Sequence, residues 1–186
     1  MYFRDMAFRK LSMDELGRLS AEEMRHAHKS PLVMVLDNVR SALNVGSVFR
    51  TADAFRVETL YLCGITACPP NRDIEKTALG ATESVAWRQV ATTHEAIAEL
   101  KAAGYCICAV EQAEGSTMLD RFQPNAGAKY ALVFGHEVFG VDDQVLAHCD
   151  VCLEIPQHGS KHSLNVSVTA GILAWHFTNT NKSPKT

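Results

Sequence analysis

Long apolar runs are missing from this 186-residue chain. The longest, such as LVMVL at 32–36 and YCICAV at 105–110, are about five or six residues, where a membrane-spanning helix needs roughly 20; no membrane span is expected. The opening residues, MYFRDMAFRKLSMDEL, lack the apolar core of a secretory signal, so a cytoplasmic location is expected. Positive charge is not in excess: the formal net charge is −3. That excludes a protein that coats nucleic acid through charge alone, because phosphate contacts draw on Lys and Arg. Arg4, Arg9 and Lys10 near the start, and Lys182 and Lys185 at the end, are read either as local basic patches or as solvated surface charge. The familiar nucleotide and hydrolase fingerprints are also missing. No GxGxxG follows the first strand-like run, no GxxxxGK[ST] occurs, and no GxSxG elbow is present. The six cysteines do not make up the deficit. Cys149 and Cys152 form a CxxC beside His148, without a second ligand pair at zinc spacing, and Cys106 and Cys108 sit in an apolar run that reads as core. No metal is expected, and the thiols fit a reducing compartment.

What is present is a series of short apolar runs, each followed by a turn and a helical stretch. They are PLVMVLD (31–37), TLYLCGI (59–65), YCICAV (105–110), KYALVFG (129–135) and DVCLEIP (150–156), with AWRQV (86–90) as a weaker sixth. They are nearly continuous in apolar residues rather than alternating, the mark of strands buried on both faces. Helices are expected over 13–28, with Ser12 and Glu15 as a capping box, after Asn44, over 93–104, briefly over 141–149, and from Ser163 to about Thr178. Pro69-Pro70 and 112–128 read as loop. Strands alternating with helices predict an α/β fold with an open, mainly parallel sheet covered by helices on both faces. The whole chain is read as a single domain, with a helical segment at 1–30, a core at 31–178 and a tail at 179–186.

Ligands of such sheets bind beyond the carboxyl ends of the strands, and the residues there are unusual. Asn44 is a candidate helix N-cap. Arg50 follows Gly46 by four residues, so a guanidinium over a small gap could take an anion or sugar-phosphate; equally, it could pair with Asp53. In FGHEVFG (134–140), Gly135 and Gly140 bracket Glu137, which reads either as a ligand carboxylate or as a solvated turn residue. From KHSLNVSVTAG (161–171) onward, Ser163, Ser167, Ala170, Gly171 and Ala174 make a stripe of small residues at helical spacing, with Leu164, Val168, Ile172 and Trp175 as an apolar stripe beside it. Ser163 and Asn165 would lie in the first turn, where free amides face a ligand; alternatively, the hydroxyls bond back to their own backbone.

Three of these segments together resemble the SPOUT class of RNA methyltransferases, in its SpoU/TrmH branch. They are NVGSVFR (44–50) for the N-x-G…R motif, GHEVFG (135–140) for G-x-E-x-x-G, and IPQHGSKHSLNVSV (155–168) for I-P-x-x-G…S-L-N-V-S-V. The resemblance covers roughly residues 31 to 178. It implies transfer of a methyl group from S-adenosylmethionine to a ribose 2′-hydroxyl of tRNA or rRNA, a homodimer with the site near its interface, and a C-terminal trefoil knot, a rare exception to unthreaded chains. By position it implies Asn44, Arg50, Glu137, Ser163 and Asn165 as active-site residues. Val110, Glu111, Gly135, Ile155 and Leu164 fall where the family holds the cofactor, largely through backbone groups.

A ribose hydroxyl is a poor nucleophile at neutral pH. Arg50 is the candidate to orient the 2′-oxygen and stabilise its developing charge, acting as a cation rather than a base because free guanidinium stays protonated. His136 stands where the family more often has Asn or Ser, and Gln157 where Met is common; with Lys161 and His162 they could tune RNA contacts. No N-terminal RNA-binding extension of the kind many relatives carry is expected, so the substrate is expected to be gripped by the catalytic domain and its partner subunit. Two rivals are a non-catalytic RNA-binding dimer of the same fold, which would have lost a key residue, and a nucleotide-dependent oxidoreductase, which would carry the missing glycine fingerprint.

Overall fold

A computed structural model of the chain describes residues 8–12 and 14–179. Arg4, Lys182, Lys185, Met13 and nearly all of the 179–186 tail lie outside them. Seven strands form one sheet: β1 (Ser30–Asp37), β2 (Val57–Cys63), β3 (Trp87–Val90), β4 (Tyr105–Val110), β5 (Thr117–Met118), β6 (Lys129–Phe134) and β7 (Val151–Glu154). Their order across the sheet is β3-β2-β1-β6-β4-β7-β5, and every pairing is parallel. All six apolar runs are strands. The central ones are buried almost without a break, as in β1 from Leu32 to Asp37. The seventh, β5, is a two-residue edge strand inside the segment read as loop, too short to leave a hydrophobic pattern.

Helices cover both faces. On one, α2 (Ala42–Ala54), α3 (Arg72–Ala78), α4 (Ala81–Ser84) and α7 (Val166–Asn179) pack on Met34, Leu36, Leu60, Leu132 and Leu153. On the other, α5 (Thr93–Ala102) and α6 (Asp143–Leu146) cover Val33, Val35, Ile107 and Val133. Adjacent residues of one strand therefore serve opposite cores, which explains the absence of alternation in the sequence.

The helix expected over 13–28 is broken. Ser12 and Glu15 do make the reciprocal bonds of a capping box, Ser12 N to Glu15 Oε2 at 2.8 Å and Glu15 N to Ser12 Oγ at 3.3 Å. The turn they start ends at Gly17, whose φ of +56° leaves helical space. The chain restarts as α1 (Ala21–His26) with its own capping box, Ser20 and Glu23.

Two other boundaries differ from expectation. The N-cap of α2 is Ser41, whose side chain accepts from Asn44 N; Asn44 lies inside the first turn, its amide free for other work. The final helix begins at Val166, three residues later than expected, so Ser163 is in the preceding loop. Asn165 precedes the helix, its Oδ1 accepting from Ser167 N at 2.9 Å.

Gly46 does not open a gap under Arg50. A Cβ there would stand 2.2 Å from Thr77 Oγ1 and 2.3 Å from Ile74 O, so the glycine lets α3 pack against α2. The small stripe of α7 divides likewise. Ala170 and Ala174 are fully buried, whereas a Cβ on Gly171 would meet nothing. Gly171 belongs to the outer face with Val168 and Trp175, which are 51% and 60% exposed, whereas Leu164, expected in the same stripe, lies in the loop before the helix.

Candidate active site

The order β6-β4-β7 brings the loops after these three strands to one edge of the sheet. They enclose a cleft of about 460 Å³, within the range of small-molecule sites. Val110, Glu111, Gly135, Ile155 and Leu164, the positions expected to hold a cofactor, all line it, and so do Glu137, Ser163 and Asn165.

The loop after β6 is tightly determined. His136 N donates to Gly140 O at 2.9 Å and Gly140 N to His136 O at 2.8 Å. Gly135 faces the far side of this turn so closely that a Cβ would stand 2.1 Å from Gly140 C. Gly140 itself has φ +71°, and a Cβ on it would fall 2.2 Å from Glu111 Oε2. That oxygen accepts from Val141 N at 2.9 Å, while Oε1 accepts from Gln112 N at 2.8 Å. Glu111 is therefore a clamp between two loops. The His136 ring is part of the turn's bonding, since its Nδ1 accepts from Val138 N at 3.0 Å and Phe139 N at 3.3 Å.

Glu137 reaches across to the start of α2. Its Oε2 accepts from Arg40 N at 3.0 Å, and its Oε1 from Ser41 N at 2.9 Å and Asn44 Nδ2 at 3.2 Å. Partial burial disfavours its ionised form, but the Arg40 and Ser41 amides, its own amide and Asn44 outweigh that, so its pKa lies below the usual carboxylate value. Asn44 passes the connection on: its Oδ1 accepts from Asn165 Nδ2 at 3.1 Å. Residues 93 and 121 positions apart are thus joined in one chain of hydrogen bonds, Glu137–Asn44–Asn165. Their mutual arrangement fixes every amide orientation: Asn44 must donate to the carboxylate and accept from Asn165.

Arg50 is not part of this chain. It is exposed on α2, six residues beyond Asn44, in a separate hollow between α2 and α3 shared with Ser47, Lys76 and Leu79. The alternative partner, Asp53, accepts instead from Ser84 Oγ, and Arg50 makes no ion pair among the described residues.

Sequence reasoning missed Gln112, whose Nε2 donates to His162 O at 2.6 Å and ties the loop after β4 to the loop before α7. It also missed Phe139, which lines the cleft while 83% exposed; a large aromatic between a loop carboxylate and a glycine was the available signal. Asp37 and Asn38, at the end of β1, serve the fold. Asp37 accepts from Thr93 Oγ1 and Asn38 Nδ2, and Asn38 Oδ1 from Ile65 N.

Comparison with known proteins agrees with this architecture. Residues 31–175 match the model of the SpoU rRNA Methylase family. The chain is 31% identical over 150 residues to the 23S rRNA (guanosine-2′-O-)-methyltransferase RlmB of Neisseria meningitidis, covering 81% of this chain and 59% of that protein. It is 30% identical over 158 residues to RlmB of Vibrio parahaemolyticus, covering 85% and 63%. It therefore spans about six tenths of the length of these curated relatives. Among solved structures, the AdoMet-bound rRNA methyltransferase from Sinorhizobium meliloti superposes with a TM-score of 0.77 at 26% identity, over 86% of this chain and 61% of that one. The A. aeolicus TrmH/SpoU tRNA modifying enzyme gives 0.75 at 25%, over 86% and 81%.

Proposed function

This chain belongs to the SpoU rRNA Methylase family, and on that footing we propose that it transfers a methyl group from S-adenosylmethionine to the 2′-hydroxyl of a ribose in tRNA or rRNA. The observation that carries the reading is the Glu137–Asn44–Asn165 chain at the edge of the 460 Å³ cleft. Residues 31–178 are the catalytic core, and the setting is the cytoplasm. Among the described residues no helix is long and apolar enough to cross a membrane.

The cleft suits the donor in size, and its walls suit it in kind: apolar Val110, Ile155 and Leu164 alternate with strand-end backbone and with Gln112, Gln157 and Ser163. When bound there, S-adenosylmethionine supplies an activated methyl group on a sulfonium, itself a good leaving group. The protein's task is alignment and activation of the hydroxyl. Holding reactants in line can remove several kcal/mol of barrier, roughly 7–11 in the best oriented cases. Asn165, Ser163 and Asn44 offer the donors and acceptors that would fix a ribose. Glu137, kept ionised, holds Asn44 in the orientation that the ribose meets. Arg50, exposed and without an ion-pair partner among the described residues, is available to a ribose-phosphate. Because its hollow between α2 and α3 is separate from the cleft, Arg50 would draw the 2′-oxygen into line and stabilise its developing charge at the cleft of a second copy, across the homodimer proposed below.

The working unit in this proposal is a homodimer. The outer face of α7 presents Val168 and Trp175 around the uncrowded Gly171. Such a contiguous apolar stripe on a soluble surface is accounted for by a second copy. The C-terminal knot of the SPOUT class belongs to the same proposal; the Gln112–His162 tether is where a threaded segment would be pinned.

The test is calorimetry with S-adenosylhomocysteine and with NAD, followed by methyl incorporation into RNA from a strain lacking the gene. Binding of the first ligand alone, with 2′-O-methylation of one nucleotide, is expected. Arg50→Ala should abolish transfer and leave S-adenosylhomocysteine affinity within a factor of about two. Wild-type turnover in that variant would remove Arg50 from the mechanism. RNA binding without any transfer would favour the non-catalytic dimer.

A further inference from the structure

The turn that carries Glu137 also carries an aromatic side chain that methyl transfer, as described, does not use. Phe139 is 83% exposed and its neighbour Val138 72%, in a turn closed by two backbone hydrogen bonds and by Glu111. Nothing about this turn is loose, so the ring is presented rather than left over. It lies against the His136 ring, with centroids 4.9 Å apart and planes 30° from parallel. The imidazole is fixed in turn by the two amides donating to Nδ1. One face of Phe139 is therefore backed by a second ring, and the rest of it is open at the mouth of the cleft. Across the cleft, the segment 155–165 holds exposed His158, Lys161 and His162 and no Asp or Glu. Of the three carboxylates lining the cleft, Glu111 and Glu137 are engaged by backbone amides and Glu154 by the Ser116 hydroxyl.

We propose that Phe139, backed by His136, is a stacking platform for an unpaired base of the RNA substrate, positioning the attached or adjacent ribose beside the Glu137–Asn44–Asn165 chain. The proposal rests on the RNA methyltransferase reading above. An aromatic face with a lysine and imidazole side chains opposite is a combination that single-stranded RNA takes: the bases stack and the phosphates meet the Lys161 ammonium and the ring N–H donors. Stacking accepts any base, so Phe139 would contribute affinity and position rather than sequence choice. The apolar stripe on α7 is a separate surface and supplies what a protein partner would need.

The experiment compares wild type, Phe139→Ala and Phe139→Trp as full chains. RNA prepared from a strain lacking the gene serves for filter binding and methyl-transfer kinetics, with calorimetry on S-adenosylhomocysteine and sedimentation velocity alongside. Stacking is worth about 1–3 kcal/mol per base by alanine substitution, so Phe139→Ala should weaken RNA binding roughly 5- to 150-fold. Phe139→Trp should restore it, with S-adenosylhomocysteine affinity and sedimentation unchanged in both. If Phe139→Ala instead loses S-adenosylhomocysteine affinity, the ring belongs to the donor's site; if it sediments as a smaller species, to a protein interface. Either result overturns the platform. A wild type that methylates RNA together with an unimpaired Phe139→Ala overturns the platform alone. A wild type that neither binds nor methylates RNA overturns the enzymatic reading and the platform with it.

Discussion

Replacing Glu137 by Gln leaves the side chain's shape almost unchanged and alters one atom and one charge. In the wild type, two carboxylate oxygens receive three donors: Arg40 N at 3.0 Å, Ser41 N at 2.9 Å and Asn44 Nδ2 at 3.2 Å. A glutamine offers one oxygen and one NH₂, so whichever way it turns, the NH₂ faces a backbone N–H. One hydrogen bond is lost outright and the survivors lose their charge assistance. Bonds to charged groups contribute about 1.5–3 kcal/mol, but this side chain is exposed and screening reduces the figure, giving about 1–2 kcal/mol in all. For a chain of this size 1 kcal/mol moves Tm by about 2–4 °C, so Glu137→Gln should melt roughly 2–8 °C below wild type at pH 7. The pH dependence has a defined sign. The folded pKa of Glu137 is depressed, so its contribution is fully present above the unfolded value of about 4.3 and is lost as pH falls through the folded value. The gap in Tm should hold steady from pH 8 to about 5.5 and close in more acidic buffer. Thermal unfolding by far-ultraviolet circular dichroism across that range reads both features. Equal melting at pH 7, or a gap indifferent to acid, would refute an ionised Glu137 as the tie between its turn and α2.

Gly140→Ala forces an L side chain to φ +71° and sets its Cβ onto Glu111 Oε2. Strain of about 1–3 kcal/mol, with the loss of the Val141 amide bond, should lower urea-unfolding stability by about 2–4 kcal/mol, and S-adenosylhomocysteine affinity should drop as the cleft wall shifts. Asn165→Ala removes the acceptor for Ser167 N and the donor to Asn44; a stability loss near 1 kcal/mol is expected from the cap, with methyl transfer falling far more than stability predicts. Val168→Asp places a charge on the outer stripe of α7 and should convert a dimer to a monomer in sedimentation velocity, with the far-ultraviolet spectrum preserved.

The sheet was legible because strands buried on both faces need apolar residues at nearly every position, a signal that tertiary context does not reverse. Cys106, Cys108 and Tyr130 could be placed in strands without knowledge of what they touch. What was not legible depends on single backbone angles or on residues distant in sequence. Gly17 ends a turn that the Ser12 capping box had started properly; either event alone fits the letters. Ser41 and Asn44 are both good capping residues three positions apart, and only the distant Glu137 decides between them, by claiming the Asn44 amide. Gly46 beside Arg50 suggested a space for a ligand because the helix that fills it, α3, has no strong pattern of its own. The motif residues were found through their resemblance to a family, but their division into Asn44, Glu137 and Asn165 on one side and Arg50 on the other is a property of helix phase. Six residues along a helix advance about 9 Å and turn about 240°, which carries Arg50 away from the cleft.

The strand order explains why one sheet edge can hold all of these groups. Neighbouring strands lie about 4.8 Å apart, so the ends of β6, β4 and β7 span roughly 10 Å. The three loops leaving them can touch a single small molecule without any of them being long. Because β1 flanks β6 on the other side, the start of α2 falls beside the turn after β6, close enough for Glu137 to cap Arg40 and Ser41. The site is then divided by labour. Glycines at 135 and 140 with Glu111 hold the wall, Glu137 locks that wall to α2, and the two amides beyond it, half-buried Asn44 and exposed Asn165, form the outward part of the linkage, each with one side-chain N–H to spare. A substitution in the wall should therefore disturb ligand affinity and stability together, whereas one at the outward ends should spare both more than it spares turnover. That contrast, between Gly140→Ala and Asn165→Ala, can be measured with the same three assays. If the two variants lost stability, affinity and activity in the same proportion, wall and outward groups would be one undivided scaffold.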